Sequence, residues 1–133
     1  MRSSYRLLII DDDQSILNLL ENYLTKNNYD VVCVTNSLEG LKLIESEENG
    51  FNLIITDLIM PEISGIGLIS ILKKEHPKIP IIAITGKGEE PEKLSMEAKV
   101  DGILQKPFEL SALETMITNI LLGRRTTSSF GKE

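Results

Sequence analysis

A single cysteine in 133 residues leaves this chain without a disulfide or zinc framework. It sits in Val31-Val32-Cys33-Val34, an apolar run in which a cysteine reads as a buried strand residue. Long apolar runs are missing as well. None approaches the ~20 residues of a membrane span, and Leu7 to Ile10 meets three aspartates too soon to serve as a secretory segment. A cytoplasmic protein without membrane association is therefore expected. Basic charge is also scarce, with 14 Lys and Arg against 20 Asp and Glu and a net charge of −6. That balance opposes non-specific affinity for nucleic acid, and no zinc-finger, helix-turn-helix or RNA-recognition signature is present, so direct nucleic-acid binding is not expected. His76, the one histidine, lies beside Pro77 and reads as a surface residue in a turn.

What is present alternates between strand and helix signals. Arg6 to Ile10 reads as a first strand, followed by Asp11-Asp12-Asp13 and a helix burying Ile16, Leu19, Leu20, Tyr23 and Leu24. Val31 to Val34 is a second strand. Asn36 and Glu39 have capping-box spacing before a helix with Leu38, Leu41 and Ile44 inward, weakened in its first turn by Gly40. Asn52 to Asp57 is an apolar run ending in a carboxylate, and it reads as a central strand of a parallel sheet. A third helix offers Ile66, Ile69 and either Ile71 or Leu72 to the core. Ile79 to Ile84 is a fourth strand, closed by Thr85-Gly86, and a polar helix with few apolar anchors is expected within 87–99. Val100 to Gln105 is a fifth strand, followed by Lys106-Pro107-Phe108. Ser111 and Glu114 suggest a capping box for a last helix that carries Leu113, Ile117, Ile120 and Leu121 and stops at Gly123. Residues 1–123 thus form one expected domain, and the polar stretch 124–133 is expected to be disordered.

Five such units predict an α/β fold, a doubly wound five-stranded parallel sheet of order 2-1-3-4-5 with helices on both faces. In that order the C-terminal ends of strands one and three are adjacent. Asp11, Asp12 and Asp57 would then share one cleft, with Thr85 and Lys106 arriving at the same edge. Three gathered carboxylates repel one another unless a cation intervenes or a proton is taken up. Oxygen ligands at a partly open polar site suit Mg²⁺, with Mn²⁺ as a substitute. A carboxylate can be the nucleophile in phosphoryl transfer, a lysine supplies a mobile positive charge, and a threonine supplies a hydroxyl donor. Asp13 reads as a loop or helix-cap residue.

With these motifs in place the chain resembles a response-regulator receiver domain, the flavodoxin-like family of two-component signalling and phosphorelay proteins, over about residues 6–122. Leu8 to Asp13 resembles its first acidic motif, Asp57-Leu58-Ile59-Met60-Pro61 its phosphorylation-site motif, Ile84-Thr85 its switch threonine, and Lys106-Pro107-Phe108 its lysine motif. The resemblance implies that Asp57 accepts a phosphoryl group from a sensor histidine kinase or a histidine phosphotransfer protein. It also implies that Asp11, Asp12, Asp57 and the Ile59 carbonyl hold the metal, that the Lys106-Pro107 bond is cis, and that a downstream protein reads the switched surface. On this reading the chain is a signalling phosphoacceptor rather than an enzyme acting on a separate substrate. Two positions depart from the family pattern: Ile103 stands where a Tyr or Phe switch residue is usual, and Ser64 replaces a usual aspartate. Ile59 and Lys87, two residues beyond Asp57 and Thr85, occupy positions linked in the family to dephosphorylation rate.

Other classes fit less well. A haloacid-dehalogenase-like phosphatase would use the Asp-x-Asp spacing of residues 11 to 13 but needs a later acidic pair, which Asp101 alone does not supply. A flavodoxin-like cofactor binder needs a phosphate cradle where this chain has three aspartates. The serious alternative is a degenerate receiver acting only as a phosphorylation-independent interaction module, against which Asp57, Thr85 and Lys106 all stand. Oligomeric state, cognate kinase and pathway are not written in the sequence.

Overall fold

In a computed structural model, residues 4–46, 50–58, 65–86 and 100–123 are described. Their elements run β1 (Arg6–Ile10), α1 (Gln14–Lys26), β2 (Asp30–Val34), α2 (Ser37–Ser46), β3 (Leu53–Asp57), α3 (Gly65–Glu75), β4 (Ile81–Thr85), β5 (Gly102–Gln105) and α4 (Leu110–Leu121). The helix expected within 87–99 and the stretch 124–133 lie outside the described residues. All four strand pairings are parallel, and the order β2-β1-β3-β4-β5 is the one expected.

The sheet is central because its middle strands are aliphatic on both faces. Leu7 to Ile10 and Leu53 to Ile55 are fully buried. Alternation along each strand sends Leu8, Ile10, Ile54 and Ile81 towards α2 and α3. It sends Leu7, Ile9, Ile55 and Ile82 towards α1 and α4. Register pairs Ile10 with Thr56 and Asp57 with Ile84, so the chain ends carrying Asp11, Asp57 and Thr85 meet at one sheet edge.

Helix boundaries follow their caps. Asp13 is the N-cap of α1, its carboxylate accepting from the Ser15 N–H at 3.0 Å and the Ser15 hydroxyl at 2.6 Å. Asn36 accepts from the Glu39 N–H at 2.8 Å at the start of α2. The predicted box at Ser111 and Glu114 is not used. α4 begins earlier because the Glu109 carbonyl already accepts from Ala112 and Leu113, and the Glu114 carboxylate instead takes the Tyr23 hydroxyl at 3.0 Å.

Several inward faces are rotated from expectation. α1 buries Leu17, Leu20 and Leu24, with Ile16 and Tyr23 flanking, while Leu19 is 53% exposed. Leu19 lies 200° around the helix from Leu17, so the two cannot share a face. α2 buries Ile44 and Gly40, and Leu38 is exposed. A Cβ at position 40 would lie 2.6 Å from the Ile10 Cδ1, so the glycine sets how closely α2 approaches β1. α3 adds Leu68 to Ile69 and Leu72, and α4 adds Met116 to Leu113 and Ile117. Cys33 is in a strand but only half-buried, since β2 is an edge of the sheet.

Candidate functional site

Asp11 follows the last residue of β1, and its backbone N–H still donates to Val34 O at 3.2 Å. That bond keeps Asp11 in line with the strand and 1% exposed. Its Oδ1 accepts from the Asp13 N–H at 2.9 Å, leaving the second oxygen to face Lys106. Asp57 closes β3 at 7% exposure, and Asp12 is exposed beside them. Carboxylate oxygens of the three aspartates lie within 4.8 Å of one another.

Lys106 follows β5 and is held there by its N–H donating to Thr85 O at 2.8 Å. Its ammonium reaches Asp11 Oδ2 at 3.3 Å and Asp57 Oδ2 at 3.4 Å. Burial pushes the Asp11 carboxyl up from its ordinary value, assisted by the charge of Asp57, while the Asp13 N–H and Lys106 pull the other way. For Lys106, burial works against the charged form, but Asp11 and Asp57 outweigh it and the ammonium titrates above its ordinary value. The Lys106-Pro107 bond is cis, as the motif implied.

Thr85 is fully buried at the end of β4, and among the described residues its hydroxyl has no hydrogen-bond partner. Such a group costs about 1–3 kcal/mol in a folded protein, so an acceptor arriving at this edge would be stabilised there. Asp11 Oδ2 is likewise buried, 3.3 Å from the Lys106 ammonium in a cluster shared with the carboxylates of Asp12 and Asp57. Three carboxylates and one ammonium leave an excess of negative charge, and an all-oxygen donor set of this kind fits a hard divalent cation.

Ile103 does not line this pocket. It is 2% exposed, pairs in register with Ala83, and belongs to the core on the α2 and α3 side. Ile59, Lys87 and Ser64 lie outside the described residues. His76 is half-buried after the last residue of α3, near Glu45 and Glu75 and away from the acidic edge. Asp101 accepts from the Ile81 N–H at 2.8 Å and pairs with Lys73 at 3.4 Å, joining the starts of β4 and β5 rather than extending the acidic cluster.

One feature beside the site was not read from the sequence. Ile16, Leu19, Leu20, Pro107, Phe108 and Leu110 line a groove of about 410 Å³ whose wall includes Lys106. Its signal was Leu19, an apolar residue on the turn of α1 that the core does not use.

Comparison with known proteins supplies the deciding observation: the model of the response regulator receiver domain matches residues 7–118. The chain belongs to the response regulator receiver family. Among curated relatives, the alkaline phosphatase synthesis transcriptional regulatory protein PhoP of Bacillus subtilis is 32% identical over 117 residues, 87% of this chain and 48% of that protein. The transcriptional regulatory protein SrrA of Staphylococcus aureus is 35% identical over 127 residues, 95% of this chain and 51% of that protein. This chain thus spans about half the length of these relatives. A CheY-like response regulator receiver domain protein from Methanospirillum hungatei superposes with a TM-score of 0.83 at 32% identity, covering 91% of this chain and 96% of that one. One from Clostridium thermocellum gives 0.82 at 29%, covering 90% and 95%. The acidic pocket of this receiver domain agrees with Mg²⁺-dependent phosphoryl acceptance. No helix among the described residues is long and apolar enough to cross a membrane.

Proposed function

We propose that Asp57 is the phosphoacceptor, that Asp11 and Asp12 hold Mg²⁺ with it, and that Lys106 and Thr85 receive the phosphoryl oxygens. The observation that carries this reading is the Lys106 ammonium bridging Asp11 and Asp57 at 3.3 and 3.4 Å, beside a Thr85 hydroxyl that has no partner among the described residues. In the transfer the P–N bond of a phosphohistidine breaks and a bond from an Asp57 carboxylate oxygen to phosphorus forms, the released imidazole taking up a proton. Lys106 is placed to follow the charge from the carboxylate to the phosphoryl oxygens, since its ammonium already sits between the two aspartates. Thr85 can donate to a phosphoryl oxygen, a change that would carry phosphorylation into β4 and the chain after it. Mg²⁺ bound by the aspartates would neutralise charge on the transferring group.

The phosphodonor we infer is a histidine kinase or histidine phosphotransfer protein, with a downstream protein as reader. The apolar groove around Leu19 adjoins Lys106 and suits an apolar helix face that delivers a phosphohistidine to the pocket. Leu19→Asp should then slow transfer from a phosphorylated histidine protein by about tenfold or more, while labelling by acetyl phosphate stays within about twofold of wild type. Equal slowing with both donors would show that the substitution damages the pocket instead, and no slowing with either would remove the groove from the account.

A further inference from the structure

β3 is aliphatic at every position before Asp57 except one. Leu53, Ile54 and Ile55 are fully buried, and so is Thr56. Valine would fill the same space without a polar atom, and in a strand covered on both faces a hydroxyl costs stability unless it is bonded. Here the Thr56 hydroxyl donates to the backbone carbonyl of Asp57 at 3.0 Å.

That carbonyl is a special one. The β1–β3 pairing ends at Ile10 and Thr56, so the Asp57 carbonyl lies one residue beyond the last pair. On the far side of the same peptide, the Leu58 N–H donates to Ile84 O at 3.0 Å. The Asp57–Leu58 peptide is thereby gripped at both ends, its oxygen by Thr56 and its N–H by β4. Because a peptide is planar, holding it fixes the backbone of Asp57 on its C-terminal side and the direction in which the chain leaves the strand.

We propose that Thr56 is a positioning residue for the phosphoacceptor, acting through the Asp57 carbonyl to aim the carboxylate and the chain that follows it. This inference rests on the reading of Asp57 as acceptor. Strand alternation puts the Thr56 side chain on the α2 and α3 face, in register between Ile10 and Ala83 and opposite to Asp57. Substituting it therefore changes no group in the pocket.

The experiment compares wild type, Thr56→Val and Thr56→Ser, with acetyl phosphate as donor at saturating Mg²⁺ and intact-mass detection. Thr56→Val keeps the volume and loses the bond, so its initial rate should fall about fivefold, whereas Thr56→Ser restores the donor and should return within about twofold of wild type. The Asp57 carbonyl ¹³C resonance, read on the unphosphorylated protein, should move in Thr56→Val and return towards its wild-type position in Thr56→Ser. Mg²⁺ affinity, titrated by the same spectra, should weaken in Thr56→Val alone. A Thr56→Val protein with wild-type rate and Mg²⁺ affinity overturns the proposal, as does Thr56→Ser as slow as Thr56→Val, which would point to packing. If wild type takes up no phosphoryl group, the acceptor reading fails, and the carbonyl shift with the Mg²⁺ titration still decides the role of Thr56.

Discussion

Replacing Thr85 by valine should make the unphosphorylated protein more stable. The Thr85 side chain is fully buried, and its hydroxyl meets no hydrogen-bond partner among the described residues. Valine puts a methyl group in nearly the same volume, keeps the branched shape favoured in β4, and removes the unsatisfied oxygen. Leaving such a hydroxyl buried costs about 1–3 kcal/mol. Taking the lower end, because small rearrangements can partly satisfy it, Thr85→Val should raise the unfolding free energy by about 1 kcal/mol and the melting temperature by about 2–5 °C. Urea unfolding followed by far-ultraviolet circular dichroism, in metal-free buffer at neutral pH, measures this directly. The same variant should lose most of the change in backbone chemical shifts that phosphorylation produces in β4 and β5, since it has no donor to offer. A loss of stability of 1 kcal/mol or more would mean that the hydroxyl is bonded in the unphosphorylated state and would refute the reasoning.

Three further outcomes are expected. Burial pushes the Cys33 thiol from 9.0 up to about 11, so at pH 8 the native protein should react with iodoacetamide roughly a hundredfold more slowly than the urea-unfolded chain. The folded state holds that proton more tightly, so the associated stability is complete below pH 9 and lost as pH rises towards 11; equal alkylation rates would contradict this. Gly40→Ala gains helix propensity but drives a Cβ to 2.6 Å from the buried Ile10 Cδ1, and should cost a net ~1 kcal/mol by urea unfolding. Ile59 can neither accept nor donate a hydrogen bond to an attacking water, so Ile59→Asn should shorten the phosphoprotein lifetime by about three- to tenfold, measured as phosphate release in saturating Mg²⁺.

Much of this was legible because the fold repeats one simple pattern. Short aliphatic runs bounded by turn signals, such as Leu53 to Ile55, read as central strands, and a parallel sheet of this order brings Asp11, Asp57 and Lys106 to one edge. Helix faces were harder. In α1 the leucines at 17, 19 and 20 are chemically alike, and only the docking of the helix on β1 and β3 decides that Leu19 stays outside. The start of α4 was misread for a related reason: Ser111 and Glu114 have the spacing of a capping box, yet Glu114 is drawn to Tyr23 across 91 positions of chain, a contact no local pattern encodes. Gly40 reads in sequence as a weak spot in a helix, and in space it lies so close to β1 that a Cβ there would meet the Ile10 side chain. The roles of Thr56 and the Thr85 hydroxyl depend on which polar atoms have partners, and that is visible only once the sheet register is known.

The central claim is that Asp57 accepts a phosphoryl group in a metal-dependent reaction. Intact-mass measurement after incubation with acetyl phosphate tests it most directly, run on wild type and Asp57→Asn, each with Mg²⁺ and with a chelator. The account predicts one added phosphoryl group on wild type with Mg²⁺, none with the chelator, and none on Asp57→Asn in either buffer. Equal incorporation by wild type and Asp57→Asn, or incorporation unaffected by removing the metal, would contradict it.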